Sequence, residues 1–154
     1  MSGGVEWALH CCVALTVARS PASAARLAEM HDVSASYLAK QLQSLARAGL
    51  AHAVQGHAGG YVLTRDPALI TVLDVVEAVD GARPAFTCTE VRQRGPIAAA
   101  PERCLSPCSI HAAMTAADEA WRAALRGVSI ADLARDVTDK TGPGTLQRIA
   151  DWLG

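Results

Sequence analysis

Three groups of side chains in this sequence have the types and spacing to do chemistry. Cys104 and Cys108 bracket the segment Cys-Leu-Ser-Pro-Cys. Two thiols in a proline-bearing loop can converge on one metal atom, and soft thiolates select iron–sulfur clusters or zinc. Cys88, upstream in the same irregular stretch, is a candidate third ligand or simply a thiol in the same pocket. Glu6 and His10 are spaced i and i+4, which puts them on one face of a helix within reach of a common ion. They also fit a simpler pair of roles, an acid favoured by the helix dipole and a satisfied core histidine. Cys11 and Cys12 sit among apolar neighbours and are expected to be buried core thiols.

The elements that must position these residues are mostly helical. Val5 to Ala18 has no Pro or Gly and reads as a largely buried first helix, ended by Ser20-Pro21. Pro21 suits the first turn of a second helix, 22–30. After the turn His31-Asp32-Val33, Ser34 caps a third helix that Gly49 stops. Two short apolar runs around the Gly-rich tip Gln55–Gly60 predict a β-hairpin. Three helices followed by a hairpin is the order of a winged helix-turn-helix. A further short helix is expected over 70–79, then an irregular stretch from Gly81 to Pro107, a long helix over 109–126 and two short C-terminal helices. The fold class is thus mainly α with a small β-hairpin wing. The expected segments are a DNA-binding region at 1–66, a connecting helix and cysteine-bearing loop at 67–108, and a dimerisation helix with C-terminal helices at 109–154, all one domain.

On the third helix Leu38, Leu42 and Leu45 form an apolar stripe, while Ser36, Lys40, Gln43 and Arg47 fall on the opposite side. A helix with an apolar back and a front of short polar, amide and basic residues can read the major groove. The candidate DNA contacts are therefore Ser36, Tyr37, Lys40, Gln43 and Arg47, with His57, Gly59 and Tyr61 from the wing. Between residues 19 and 65, Arg19, Arg26, Lys40, Arg47 and Arg65 face only Glu29 and Asp32, although the whole chain carries a net charge of −1. This local excess of cations suits phosphate contacts better than the total does. In the long helix Ile110, Met114, Ala117, Trp121 and Ala124 recur at 4-3-4-3, the spacing of a helix–helix seam, so a homodimer is expected.

The text VSASYLAKQLQSLARAGL, followed by QGHAGGYVLTR and VLDVVEAVDG, resembles the Rrf2 family of bacterial transcription regulators. Within that family SGGVEWALHCC, FTCTEVRQRGP and CLSPCSI resemble a redox-sensing branch. The resemblance implies a homodimer with a 2Fe–2S cluster at each monomer interface, held by two Cys of one chain and Glu plus His of the other. Carried onto this sequence, those ligands are Glu6, His10, Cys104 and Cys108. The usual family pattern has three Cys at tighter spacing, which keeps Cys88 in view as a third ligand. Trp7, between the Glu and the His, is expected either to pack as an ordinary aromatic or to act as a redox relay toward the DNA-reading head.

The expected function is a dimeric, non-enzymatic, redox-sensing transcription regulator that binds double-stranded DNA at an inverted-repeat operator. A cytoplasmic location without a membrane span is expected, because no apolar run reaches about 18 residues and no charged-then-apolar leader is present. Two rivals remain. One is a regulator without a cluster, switching through a thiol/disulfide change of Cys104 and Cys108 or through zinc. The other is a small metalloenzyme with a Cys/His/Glu site, although the sequence offers no nucleophile–base–orienter set.

Overall fold

Apolar side chains at helical spacing dictate most of the architecture. In the computed structural model, which describes residues 1–154, they build α1 (Gly3–Leu15), α2 (Ala24–His31), α3 (Ala35–Arg47), α4 (Val72–Asp80), α5 (Ser109–Arg126), α6 (Ile130–Thr141) and α7 (Gly144–Leu153). The sheet has two antiparallel strands, β1 (Ala51–Val54) and β2 (Gly60–Leu63), in register from Ala51 opposite Leu63 to Val54 opposite Gly60. The chain folds as two units: Met1–Ala82 with Leu125–Gly154, and Arg83–Ala124.

The first unit is organised around α1, which packs against α3, α4 and α6. Its centre is made by Leu27, Leu38, Leu42, Leu45, Ile70, Val75 and Ile130, all with no measurable exposure. Each such side chain contributes about 1.5–3 kcal/mol by leaving water. Cys11 and Cys12 belong to this core as the sequence suggests, and burial pushes both thiols up to about 12. The helix starts are chemically marked. Reciprocal capping boxes, Thr71 with Asp74 and Ser129 with Asp132, open α4 and α6. Those two starts are tied together, since Val72 N–H donates to the Val128 carbonyl (2.9 Å) and Ile130 N–H to the Ile70 carbonyl (2.8 Å).

Several helix boundaries differ from expectation by a few residues, α1 starting already at Gly3 and α4 only at Val72, and two of the differences have clear local reasons. Helix α1 ends at Leu15 rather than running to Ala18, where the Thr16 hydroxyl donates to the Val13 carbonyl (2.7 Å), a side-chain bond that competes with the helix ladder. Helix α2 begins at Ala24, because the Ser23 hydroxyl accepts the Arg26 N–H (3.2 Å). That leaves Pro21 and Ala22 outside the helix, and Ala22 pairs with Tyr61 instead. Between α2 and α3 the chain turns at Asp32, whose left-handed backbone (φ 52°) is a conformation that Asp tolerates better than most residues.

In the second unit the expected irregular stretch carries two single 3₁₀ turns, Val91–Gln93 and Pro101–Arg103. Helix α5 follows with the bounds the sequence predicts, and none of its residues is buried.

Candidate nucleic-acid interface and thiol loop

The two faces of α3 separate cleanly. Leu38, Leu42 and Leu45 are fully buried, while Ser36, Tyr37, Lys40, Gln43 and Arg47 are all exposed. Arg47 donates to the Ser44 hydroxyl (2.8 Å), which holds its guanidinium along the helix. The polar Gln41 is instead turned inward, 5% exposed, and lies against Gly4 of α1. A Cβ on Gly4 would sit 2.6 Å from the Gln41 Oε1, so a larger residue there would have to displace the Gln41 amide.

On the wing, His57 is exposed at the tip. Gly59 and Tyr61 have another task as well. A Cβ on Gly59 would lie 2.4 Å from the Val54 carbonyl oxygen, so the tip closes only around a glycine. Tyr61 is half-buried against the core, and its backbone exchanges two hydrogen bonds with Ala22 (2.8 and 3.1 Å). The wing is thereby fastened to the lead-in of α2. This long-range pairing is invisible to local pattern.

On α1, Glu6 and His10 are both exposed and border a cavity of about 330 Å³ beside α6, with Leu133, Asp136 and Lys140 on the far wall. Trp7 is half-buried. Its ring centroid lies 6.2 Å from that of His10 and 5.8 Å from that of His31, and the two histidine rings are 5.5 Å apart. Sequence reasoning missed His31, the last residue of α2. Its Nε2 is buried without a hydrogen-bond partner, and desolvation, aided by the nearby His10 charge, lowers its pKa. Only its place beside the turn could have drawn notice.

The second unit holds the remaining thiols. Cys88, Cys104 and Cys108 are free and half-buried. Cys88 Sγ accepts the Glu90 N–H (3.4 Å), and Cys108 Sγ accepts the His111 N–H (3.2 Å) at the start of α5. Cys88 and Cys108 line one cavity of about 680 Å³ whose other walls include Phe86, Val91, Ile97 and Ile110. Within one chain, no three His, Cys, Asp or Glu side chains converge to hold a metal ion. Glu6 and His10 lie in the first unit and all three half-buried thiols in the second.

Residues 1–136 match the family described as Rrf2, iron-dependent transcriptional regulators. The chain belongs to the Rrf2 family. This Rrf2 protein is 31% identical over 158 residues to the HTH-type transcriptional regulator YwgB of Bacillus subtilis, a match covering 99% of this chain and 94% of YwgB. It is 38% identical over 76 residues to the HTH-type regulator IscR of Xenorhabdus nematophila, spanning 49% of this chain and 46% of IscR. Among solved structures, CymR, the global cysteine regulator of B. subtilis, aligns with a TM-score of 0.66 at 23% identity, over 88% of this chain and 95% of CymR. The IscR of T. potens aligns at 0.65 and 20% identity, over 89% of this chain and 87% of that one. Those structural likenesses carry the fold, a winged helix-turn-helix. The Rrf2 protein is a transcriptional regulator and not an enzyme. No helix is long and apolar enough to cross a membrane.

Proposed function

We propose that this Rrf2 regulator is a homodimer that reads an inverted-repeat operator and senses redox state through a 2Fe–2S cluster, as the redox-sensing member RsrR does. The ligands would be Cys104 and Cys108 of one chain with Glu6 and His10 of its partner. The observation that carries this reading is the chemistry of the donors: half-buried thiols at Cys104 and Cys108 on one short loop, and an exposed carboxylate and imidazole, Glu6 and His10, one turn apart on α1. A two-iron cluster offers four external positions, and this donor set fills them. When bound, the cluster supplies a one-electron change of charge, and a histidine ligand raises the potential relative to an all-thiolate site.

The chain's own residues supply the route to DNA. Trp7 and His10 share α1, and both rings contact His31 at the end of α2, next to the Asp32 turn that sets the angle of α3. A displacement of Trp7 is therefore felt at the helix-turn-helix without any loop between them. On DNA, Lys40 and Arg47 would bind phosphates, and Ser36, Tyr37 and Gln43 would reach base edges or phosphates.

The test is an anaerobic visible spectrum with and without dithionite, with DNA affinity measured in both states. A red-brown protein whose absorption bleaches on reduction is expected. Cys104→Ala and Cys108→Ala should abolish the cluster, Cys88→Ala should keep it, and Glu6→Ala or His10→Ala should alter or destabilise it. If Cys88→Ala bleaches the protein while Glu6→Ala and His10→Ala leave the spectrum intact, a three-thiolate loop replaces the mixed set. A second reading, a cluster-free thiol switch or zinc site, draws on Cys88 and Cys108 sharing one cavity. A colourless protein whose DNA affinity follows thiol oxidation or added zinc would favour it.

A further inference from the structure

Arg92 ties together three stretches of the thiol-bearing unit, at Glu90, Ala99 and Ser106, although nothing in its sequence position announces this. Its Nε and Nη2 donate to the two oxygens of Glu90 (2.6 and 2.8 Å), a bidentate fork. Nη2 also donates to the Ser106 carbonyl (2.9 Å), midway between Cys104 and Cys108. The Arg92 carbonyl accepts the Ala99 N–H (2.8 Å), so its backbone is fixed as well. Glu90, in turn, gives its N–H to Cys88 Sγ and adopts a left-handed backbone (φ 51°) that a non-glycine residue takes only when its surroundings require it. Arg92 thus bonds the carboxylate beside one thiol and the loop apex between the other two.

We propose that Arg92 is a positioning residue for the Cys104–Cys108 loop, pinning the loop at the Ser106 carbonyl and, with Glu90, setting the balance of charge beside the sulfurs. The electrostatics agree with the geometry. The hydrogen bond to Glu90 strengthens the hold of the guanidinium on its proton. The same hydrogen bond from Arg92 holds the Glu90 carboxyl below the usual carboxylate range, with a smaller effect of His111. The Arg92–Glu90 pair is neutral as it stands. Removing either partner leaves an uncompensated charge of opposite sign next to the thiols.

The pinning can be tested without any cluster, while the charge balance rests on the 2Fe–2S reading. In the cluster-free protein, Arg92→Gln should accelerate amide hydrogen exchange across residues 101–108, and Arg92→Lys, which keeps one donor, should restore part of the protection. In the cluster-loaded protein, Arg92→Gln should lower the midpoint potential, because the Glu90 carboxylate then opposes the added electron. Glu90→Gln should raise it, because the guanidinium is left unneutralised. A purely structural role would move both variants the same way, and that outcome overturns the charge assignment. Unchanged exchange in Arg92→Gln overturns the pinning. A wild-type chain that takes up no cluster refutes the function reading instead, and the exchange experiment alone then decides the role of Arg92.

Discussion

Gly60→Ala should loosen the wing by a predictable amount. A Cβ at Gly60 would stand 2.4 Å from the Ala22 carbonyl carbon, 2.6 Å from its oxygen and 2.7 Å from the Pro21 carbonyl carbon. All three atoms are backbone, and Ala22 is only 1% exposed, so no flexible side chain can yield. Ordinary contact begins at 3.4 Å, so β2 must retreat by about 1 Å. That retreat stretches the Tyr61–Ala22 bonds from 2.8 and 3.1 Å to about 4 Å, beyond hydrogen-bonding range. Two lost bonds cost about 1–3 kcal/mol, and loss of part of the Tyr61 packing brings the total to about 2–4 kcal/mol. For a chain of this size the melting temperature should fall by roughly 5–12 °C. The assay is thermal unfolding by circular dichroism beside Gly56→Ala, whose Cβ meets nothing within 4 Å but whose φ of 111° costs about 1 kcal/mol for a non-glycine residue. If Gly60→Ala melts within a degree or two of wild type, or above Gly56→Ala, the close-approach argument is wrong.

Three further outcomes follow from the same structure. Lys40→Ala should weaken specific and non-specific DNA alike and reduce the salt slope by about one per recognition helix; unchanged affinity at moderate salt would take Lys40 off the DNA face. Ile110→Glu or Met114→Glu should shift the protein to a monomer in sedimentation or light scattering, because these exposed side chains (69% and 40%) lie on the proposed seam and an unpaired buried charge costs several kcal/mol. In the native, cluster-free protein iodoacetamide should modify Cys88, Cys104 and Cys108 before Cys11 and Cys12. Burial raises the last two thiols to about 12, which leaves on the order of one thiolate in 10⁵ at pH 7. Early labelling of Cys11 would mean that α1 opens locally.

The sequence revealed what is periodic and withheld what is paired at long range. The leucine stripe of α3 and the Gly-rich hairpin could be read directly, because each is set by near neighbours in the chain. The bounds of α5 follow from a run without Pro or Gly between Pro107 and Gly127. The Ala22–Tyr61 bridge joins residues nearly forty positions apart, and no local pattern encodes it. For that reason Tyr61 reads as a wing-tip contact, although its ring leans on the core. The same limit applied at the candidate site. Glu6, His10 and the cysteines are visible as residue types, whereas His31 and Arg92 gain their roles only from what folding sets beside them.

The stitch between Tyr61 and Ala22 also bears on what kind of regulation this head permits. A wing free to flap could adjust its grip on one half-site and grade affinity continuously. Here the hairpin is sewn to the strand-like lead of α2, and α2 packs on α3, so α3 and the wing are tied together through α2. In the proposed dimer, such a head would keep its fit to each half-site and be re-aimed as a whole. Control exerted through it should therefore appear as altered tolerance to the spacing between half-sites, with recognition within each half-site left intact.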